Sequence, residues 1–167
     1  GYIDASSRET LENISKNQIP HLGATSHDLS IISRMPSLLF VSKNEEEFLT
    51  NVNAFVILTH NSDIVKESAE FFAKVLWAVY EGKDIIKSIQ SLKVTSSQRI
   101  KRYIENGLNC TLDTFDAIRE FGPACGVEDG FSGVIYILNK YEKYFKNAMI
   151  QNAKAGGDSS ARSMIIA

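Results

Sequence analysis

The sequence holds few of the residues from which zinc sites and disulfide frameworks are built. Its 167 residues include two cysteines, Cys110 and Cys125, and neither lies in a Cys-x-x-Cys arrangement or close to a histidine in sequence. The three histidines are too few, and too far from the cysteines, to complete a zinc site. We therefore interpret both cysteines as reduced structural thiols, which is typical of a cytoplasmic protein.

The chain also lacks a charge excess and a long hydrophobic run. Eighteen Lys and Arg residues stand against 20 Asp and Glu residues, which gives a formal net charge of −2 and a pI near 5.9. Because basic and acidic residues are interspersed, the sequence carries no electrostatic signature of a nucleic-acid or anionic-lipid partner. No apolar run approaches the length that spans a bilayer. We expect neither nucleic acid nor membrane among the partners.

Apolar residues recur at three- and four-residue steps, and no segment alternates long enough with the period of two that indicates a strand. The widest apolar face belongs to a helix predicted from Asp63 to Gly82, which we expect to be central because such a face needs neighbours on two sides. Its predicted core positions are Phe71, Phe72, Val75, Leu76 and Val79. The predicted fold class is all-α, a multi-helix bundle in which residues 1–167 form a single domain.

Start and stop signals place the other helices. A helix beginning at Ser96 or Ser97 is predicted to close at Asn106-Gly107, since glycine commonly ends helices. A glycine-bearing connection from Gly126 to Gly133 is predicted to lead into one long helix, Val134 to Asn152. Gly156-Gly157 would break that helix before the last one.

The stretch after that break, Asp158-Ser159-Ser160, carries the strongest signal for a site. Two glycines let the backbone turn sharply and approach a ligand, and the Asp-Ser-Ser that follows offers hard oxygen ligands beside an anion-friendly helix start. An ordinary helix N-cap at Asp158 explains the same residues without a ligand. From the residues alone both interpretations stay open.

Residues Gly156–Arg162, with the tyrosine-rich segment before them, resemble the C-terminal signature of the ADP-ribosylglycohydrolase family. Further segments agree in order and rough spacing, so that the resemblance runs over nearly the whole chain: Ser33-Arg34-Met35-Pro36, Thr59-His60-Asn61-Ser62-Asp63, and Phe121 through Gly133. The resemblance implies an all-helical fold of the ADP-ribosylglycohydrolase type. It also implies removal of ADP-ribose from modified proteins or related conjugates, with paired magnesium ions held by aspartates.

The resemblance assigns roles to particular residues. It implies magnesium ligation by Asp158 and Ser160, and contact with ADP-ribose by His60, Asp63, Gly156, Gly157 and Ser159. Taken by themselves, His60 and Asp63 are equally well explained as the end of one helix and the cap of the next. The resemblance names no catalytic residue among those present.

The signature departs from the common family form, Gly-Gly-Asp-Thr-Asp-Thr. Ser160 stands at the second aspartate and Ala161 at the last threonine, so one carboxylate ligand and one hydroxyl are missing. Because magnesium affinity depends on ligand charge, we expect weakened metal binding. We expect the chain as it stands to be catalytically silent.

The family's other acidic metal motifs would lie upstream of the residues present, and the apolar stripe of the last helix runs to the end of the chain. We therefore expect an incomplete domain, truncated at both ends.

The predicted function of the full-length protein is magnesium-dependent hydrolysis of an ADP-ribose glycosidic bond. The alternative is a non-catalytic member of the same fold, either ADP-ribose-binding or structural and crystallin-like. A third hypothesis is an unrelated helical interaction domain, in which Gly-Gly-Asp is only a turn.

Overall fold

The computed structural model describes residues 1–18 and 22–167, so that His21 lies outside the described residues. Within them the chain forms nine α-helices and one 3-10 helix and has no β-strand, which confirms the all-α prediction. The elements are α1 (Ala5–Ser15), the 3-10 helix (Leu29–Val41), α2 (Glu45–Thr59), α3 (Asp63–Tyr80), α4 (Ile85–Thr95), α5 (Gln98–Asn109), α6 (Thr114–Phe121), α7 (Val127–Lys140), α8 (Phe145–Ala155) and α9 (Ser159–Ile166). None of these helices is both long enough and apolar enough to cross a membrane.

Polar N-cap residues define where most of the helices begin. A side-chain oxygen of each cap accepts a hydrogen bond from a backbone N–H in the first turn, which satisfies a donor that the helix itself leaves free. The α-helices that begin this way are α1 at Asp4, α2 at Asn44, α4 at Asp84, α5 at Ser97, α6 at Asp113 and α9 at Asp158. These starts follow from local sequence.

The centre of the core is built from α3, α5 and α7. Phe131 of α7 lies against Phe72, Phe71 and Tyr103, with ring centroids 4.7, 5.4 and 5.6 Å away. All four aromatic residues are buried, as predicted for Phe71 and Phe72. Val79 was wrongly predicted to be buried: it is 40% exposed, because it lies at the end of α3 where the neighbouring helices no longer cover it.

Three predicted helix boundaries were wrong: α7 begins at Val127, within the predicted connection from Gly126 to Gly133, and two further boundaries differ because of packing between helices. Helix α5 continues through Gly107, where a Cβ atom would lie 2.6 Å from the carbonyl oxygen of Ser132 on α7. The glycine is therefore a point of close approach and not a helix end. The predicted helix from Val134 to Asn152 is two helices, since α7 ends at Lys140 and the Tyr141 hydroxyl then lies 2.6 Å from Thr114 Oγ1 at the start of α6.

Three segments that are distant in sequence meet at one place in the fold. The residues before the 3-10 helix pair with the loop before α7, because the N–H of Leu29 donates to the Cys125 carbonyl and that of Val127 donates to the His27 carbonyl, both at 2.8 Å. The same loop accepts a hydrogen bond from the turn between α8 and α9. The Gly-Gly-Asp turn is thus held by this junction.

Candidate functional site

The turn between α8 and α9 requires both of its glycines. Gly156 has φ 74° and Gly157 has φ 62°, in the left-handed region that side chains disfavour. A Cβ atom at Gly157 would lie 2.2 Å from the carbonyl oxygen of Pro123, so the backbone can pass this closely only without a side chain. The N–H of Asp158 then donates to the same Pro123 oxygen at 2.8 Å. The turn is consequently fixed against the loop before α7.

Asp158 acts as the N-cap of α9. Its Oδ1 accepts a hydrogen bond from the N–H of Ala161 at 3.0 Å, and its side chain is only partly exposed. Ser160 is exposed, and Ser159 donates its N–H to the Gly157 carbonyl at 2.8 Å. Capping does not exclude metal binding, since a carboxylate has a second oxygen. The structure therefore leaves both interpretations of Asp158 open.

The buried side chains of Arg162 and Asn152 hold the turn in place through hydrogen bonds. Arg162 is 1% exposed; its Nε donates to Asn152 Oδ1 at 2.8 Å and its Nη2 donates to the Gly156 carbonyl. Asn152 is fully buried and donates its own N–H groups to the Ser159 carbonyl and to Ser163 Oγ, at 2.8 and 2.7 Å. Arg162 belongs to the signature quoted above, which assigns it no role, and no sequence pattern marks Asn152.

The guanidinium brings a buried positive charge close to Asp158. Burial lowers the pKa of Arg162, and the charge of Asp158 opposes this effect. Nη1 of Arg162 is buried and finds no hydrogen-bond partner in the described part of the chain. A fixed positive charge beside a carboxylate disfavours binding of a divalent cation there.

Few other side chains that could bind a metal ion accompany Asp158. Within residues 1–18 and 22–167, no group of three or more His, Cys, Asp and Glu side chains is placed to hold a metal ion. Magnesium prefers octahedral oxygen coordination, of which the Asp158 carboxylate and the Ser160 hydroxyl would fill only a part. A magnesium ion at Asp158 and Ser160 would need ligands beyond those described.

Cys125 lies near Asp158 in the loop before α7. Burial raises the pKa of the Cys125 thiol, and the negative charges of Asp28, Asp158 and Asp129 act in the same direction. Because the thiolate is the reactive form, Cys125 is a poor nucleophile in this environment. Cys125 is nevertheless exposed, so its interpretation as a structural thiol stays a prediction.

The other two predicted ligand contacts, His60 and Asp63, are separated by the structure. His60 is 4% exposed, and its Nδ1 lies 3.0 Å from Thr59 Oγ1. The side chain of Asp63 is 87% exposed, and its carboxylate lies 3.7 Å from Lys66 Nζ. One side chain is therefore interior and the other is at the surface, so they do not present a common face to a ligand.

Asp63 lines a cleft that no sequence pattern predicts. The cleft has a volume of about 400 Å³ and lies between α2 and α3, with Arg99 contributed by α5. Arg99 Nη2 donates to Glu67 Oε1 at 2.8 Å across its rim. Charged residues at helical spacing on α3 were the available signal, but they were indistinguishable from an ordinary solvated helix face. The cleft arises where α2 packs against α3 and α5 brings Arg99 to its edge, which short sequence patterns do not show.

Comparison with known proteins assigns neither a family nor a function to this chain. The chain matches no model of a protein family, no curated protein and no solved structure. The family resemblance therefore rests on the motif residues quoted above, and the function drawn from it is a proposal.

Proposed function

We propose that this chain carries the Gly-Gly-Asp turn of an ADP-ribosylglycohydrolase-like protein. In this proposal its helices form a bundle of the type found in that family. The proposal places magnesium-dependent hydrolysis of an ADP-ribose glycosidic bond in the full-length protein. The observation that supports it is the turn itself: Gly156 and Gly157 both have positive φ, and Asp158 follows them at the start of a helix. A turn this constrained holds its first helical residues in a defined position, which a binding site requires.

The proposed roles follow the resemblance. Asp158 and Ser160 would contribute to a magnesium site together with carboxylates from elsewhere, and Gly156, Gly157 and Ser159 would lie against ADP-ribose. The chemistry that such a magnesium site would supply is polarisation of substrate oxygens and positioning of a water molecule. Exposed Asp63 remains available for a ligand, whereas His60 would reach one only if the surrounding segments moved.

A second candidate is a non-catalytic member of the same fold that binds ADP-ribose or has a structural, crystallin-like role. Its specific support lies at two positions of the signature. Ala161, at the family's threonine position, is 2% exposed and has no ligating group. Arg162 adds a buried positive charge close to the one carboxylate of the turn. Both features weaken metal binding while leaving the turn intact.

Thermal denaturation of the full-length protein tests these alternatives. It is measured alone, with magnesium, with ADP-ribose and with both, and release of ADP-ribose from a modified protein is assayed in parallel. The glycohydrolase proposal predicts that ADP-ribose raises the melting temperature in the presence of magnesium and that ADP-ribose is released. Stabilisation by ADP-ribose without turnover supports the non-catalytic candidate. If ADP-ribose has no effect with or without magnesium, the glycohydrolase and the ADP-ribose-binding member both fail, which leaves a structural member of the fold or a Gly-Gly-Asp stretch that is only a turn.

A further inference from the structure

His60 combines deep burial with incomplete hydrogen bonding of its ring in the described part of the chain. The residue is 4% exposed, and its Nε2 is buried with no hydrogen-bond partner among residues 1–18 and 22–167. Its Nδ1 lies 3.0 Å from Thr59 Oγ1. A protonated ring carries two N–H donors and a charge, and leaving these unsatisfied in the interior is strongly unfavourable. The site accommodates the neutral ring much better than the charged one.

The ring lies where a short segment before the 3-10 helix crosses the end of α2. Ala24 forms an isolated parallel bridge with His60: the N–H of Ala24 donates to the Thr59 carbonyl at 3.0 Å, and the N–H of Asn61 donates to the Ala24 carbonyl at 2.7 Å. A Cβ atom at Gly23 would lie 2.9 Å from the backbone nitrogen of His60. The segment is thus in direct contact with the backbone of His60, and a movement of this residue disturbs it.

Helix α1 is attached to the rest of the fold through the same segment and the end of α2. Its large apolar residues Leu11 and Ile14 are 55% and 52% exposed, so they contribute little buried surface. Side chains of α1 form hydrogen bonds with these neighbours. Thr10 Oγ1 donates to the Thr59 carbonyl at 3.4 Å, and Asn13 Nδ2 donates to the Leu22 carbonyl at 3.1 Å. Glu9 Oε1 accepts a hydrogen bond from the N–H of Thr25 at 2.9 Å. Release of the segment would therefore release α1.

Charged groups from each neighbouring element act on the ring. Burial lowers the pKa of His60 below its ordinary 6.5. The charges of Asp28, Asp4 and Glu9 oppose this effect, and Arg34 of the 3-10 helix reinforces it. These carboxylates would stabilise a protonated ring that moved toward them or toward water. The interior position of His60 in the closed form does not allow that movement.

We propose that His60 is an acid-sensitive latch, whose protonation releases α1 and residues 22–25 from the turn between α2 and α3. A group whose folded-state pKa is lowered stabilises the closed form above its ordinary pKa and ceases to do so as the pH falls toward the lowered value. The stabilisation of the closed form by the neutral ring is fully present above pH 6.5 and decreases as the pH falls below it. Protons are the only ligand required.

Hydrogen exchange of backbone amides tests the latch in the intact chain at about pH 7.5 and about pH 5.5, after correction for the chemical exchange rate. Protection of the α1 amides is expected to fall in the wild type by up to about tenfold, which is the limit that linkage sets one pH unit below the ordinary pKa. In His60→Asn, which keeps a polar group beside Thr59 but does not titrate, the corrected protection is expected to be equal at both pH values. His27→Asn is the matched control, because His27 is exposed and lies 2.5 Å from Glu128; it should behave as the wild type does.

The latch is overturned if α1 protection in the wild type does not change with pH, or if it falls equally in His60→Asn. Should His60→Asn fail to fold, an NMR titration of the wild-type His60 ring decides the question. A His60 pKa below 6.5, with α1 amide signals changing over the same pH range, supports the latch. A pKa at or above 6.5, or α1 signals that do not change in that range, refutes it.

Discussion

Arg162 Nε donates to Asn152 Oδ1 at 2.8 Å, and both residues are buried, with exposed fractions of 1% and 0%. Asn152 lies on α8 and Arg162 lies on α9, so the pair joins both helices across the Gly-Gly-Asp turn. Because Arg162 also holds the Gly156 carbonyl, the helices and the turn behave as one unit.

Removal of the Asn152 amide should destabilise this unit. Asn152→Ala deprives a buried guanidinium of its acceptor and leaves the Ser159 carbonyl without its donor, so we expect the free energy of unfolding to fall by about 3 kcal/mol. Urea denaturation measures this change. Asn139→Ala is the control, because Asn139 is exposed and donates only to the Leu108 carbonyl at 3.3 Å; a loss as large in the control would contradict the prediction.

Gly157→Ala should distinguish close packing from backbone conformation. The new Cβ atom would lie 2.2 Å from the Pro123 oxygen at φ 62°, whereas Gly82 has φ 82° and nothing within 4 Å. We expect a loss of about 3 kcal/mol or more for Gly157→Ala, from strain and overpacking together. For Gly82→Ala we expect about 1 kcal/mol from strain alone. Equal losses in chemical denaturation would show that the contact with Pro123 does not constrain the turn.

Asp158→Asn separates the cap from the metal ligand. Asparagine caps helices about as well as aspartate, so the melting temperature in metal-free buffer should change little, whereas Asp158→Ala should lose about 1 kcal/mol. If Asp158 binds magnesium in the full-length protein, magnesium-dependent stabilisation should disappear in Asp158→Asn, because the ligand charge is lost. Unchanged magnesium binding in titration calorimetry would show that Asp158 is a cap only.

Phe72→Ala tests the central aromatic cluster. The Phe72 ring is 4% exposed and lies between Phe71 and Phe131, at centroid distances of 5.3 and 4.7 Å. We expect a loss of about 3–5 kcal/mol from the cavity and the lost burial. Phe40→Ala is the control, since Phe40 is 92% exposed and its removal should change stability by less than about 0.5 kcal/mol. A small loss for Phe72 would mean that the core closes around the gap or packs differently.

Much of the secondary structure was predictable because it depends on neighbours in sequence. Asn44 and Asp84 each cap a helix within three residues of themselves, and Phe71 and Phe72 follow the apolar period of α3. The turn at Gly156-Gly157 was predictable for the same reason, since glycine pairs break helices without help from the rest of the fold.

The misses arose where distant residues decided the outcome. Gly107 has the local signature of a helix end, but the close approach of α7 keeps it inside α5. No local signal marks the end of α7 at Lys140, where Tyr141 reaches Thr114 of another helix. Residues in contact across the fold overrode the propensities of their own segments.

By itself the sequence determined the helical class, the caps and a turn ending in Asp158, because these depend on interactions over a few residues. Only the tertiary structure decided that His60 is interior while Asp63 is exposed, three residues apart on the same turn. It also decided that Arg162 would be buried against Asn152, which no helical period requires. Burial depends on which helices pack together, and short sequence patterns do not encode that choice.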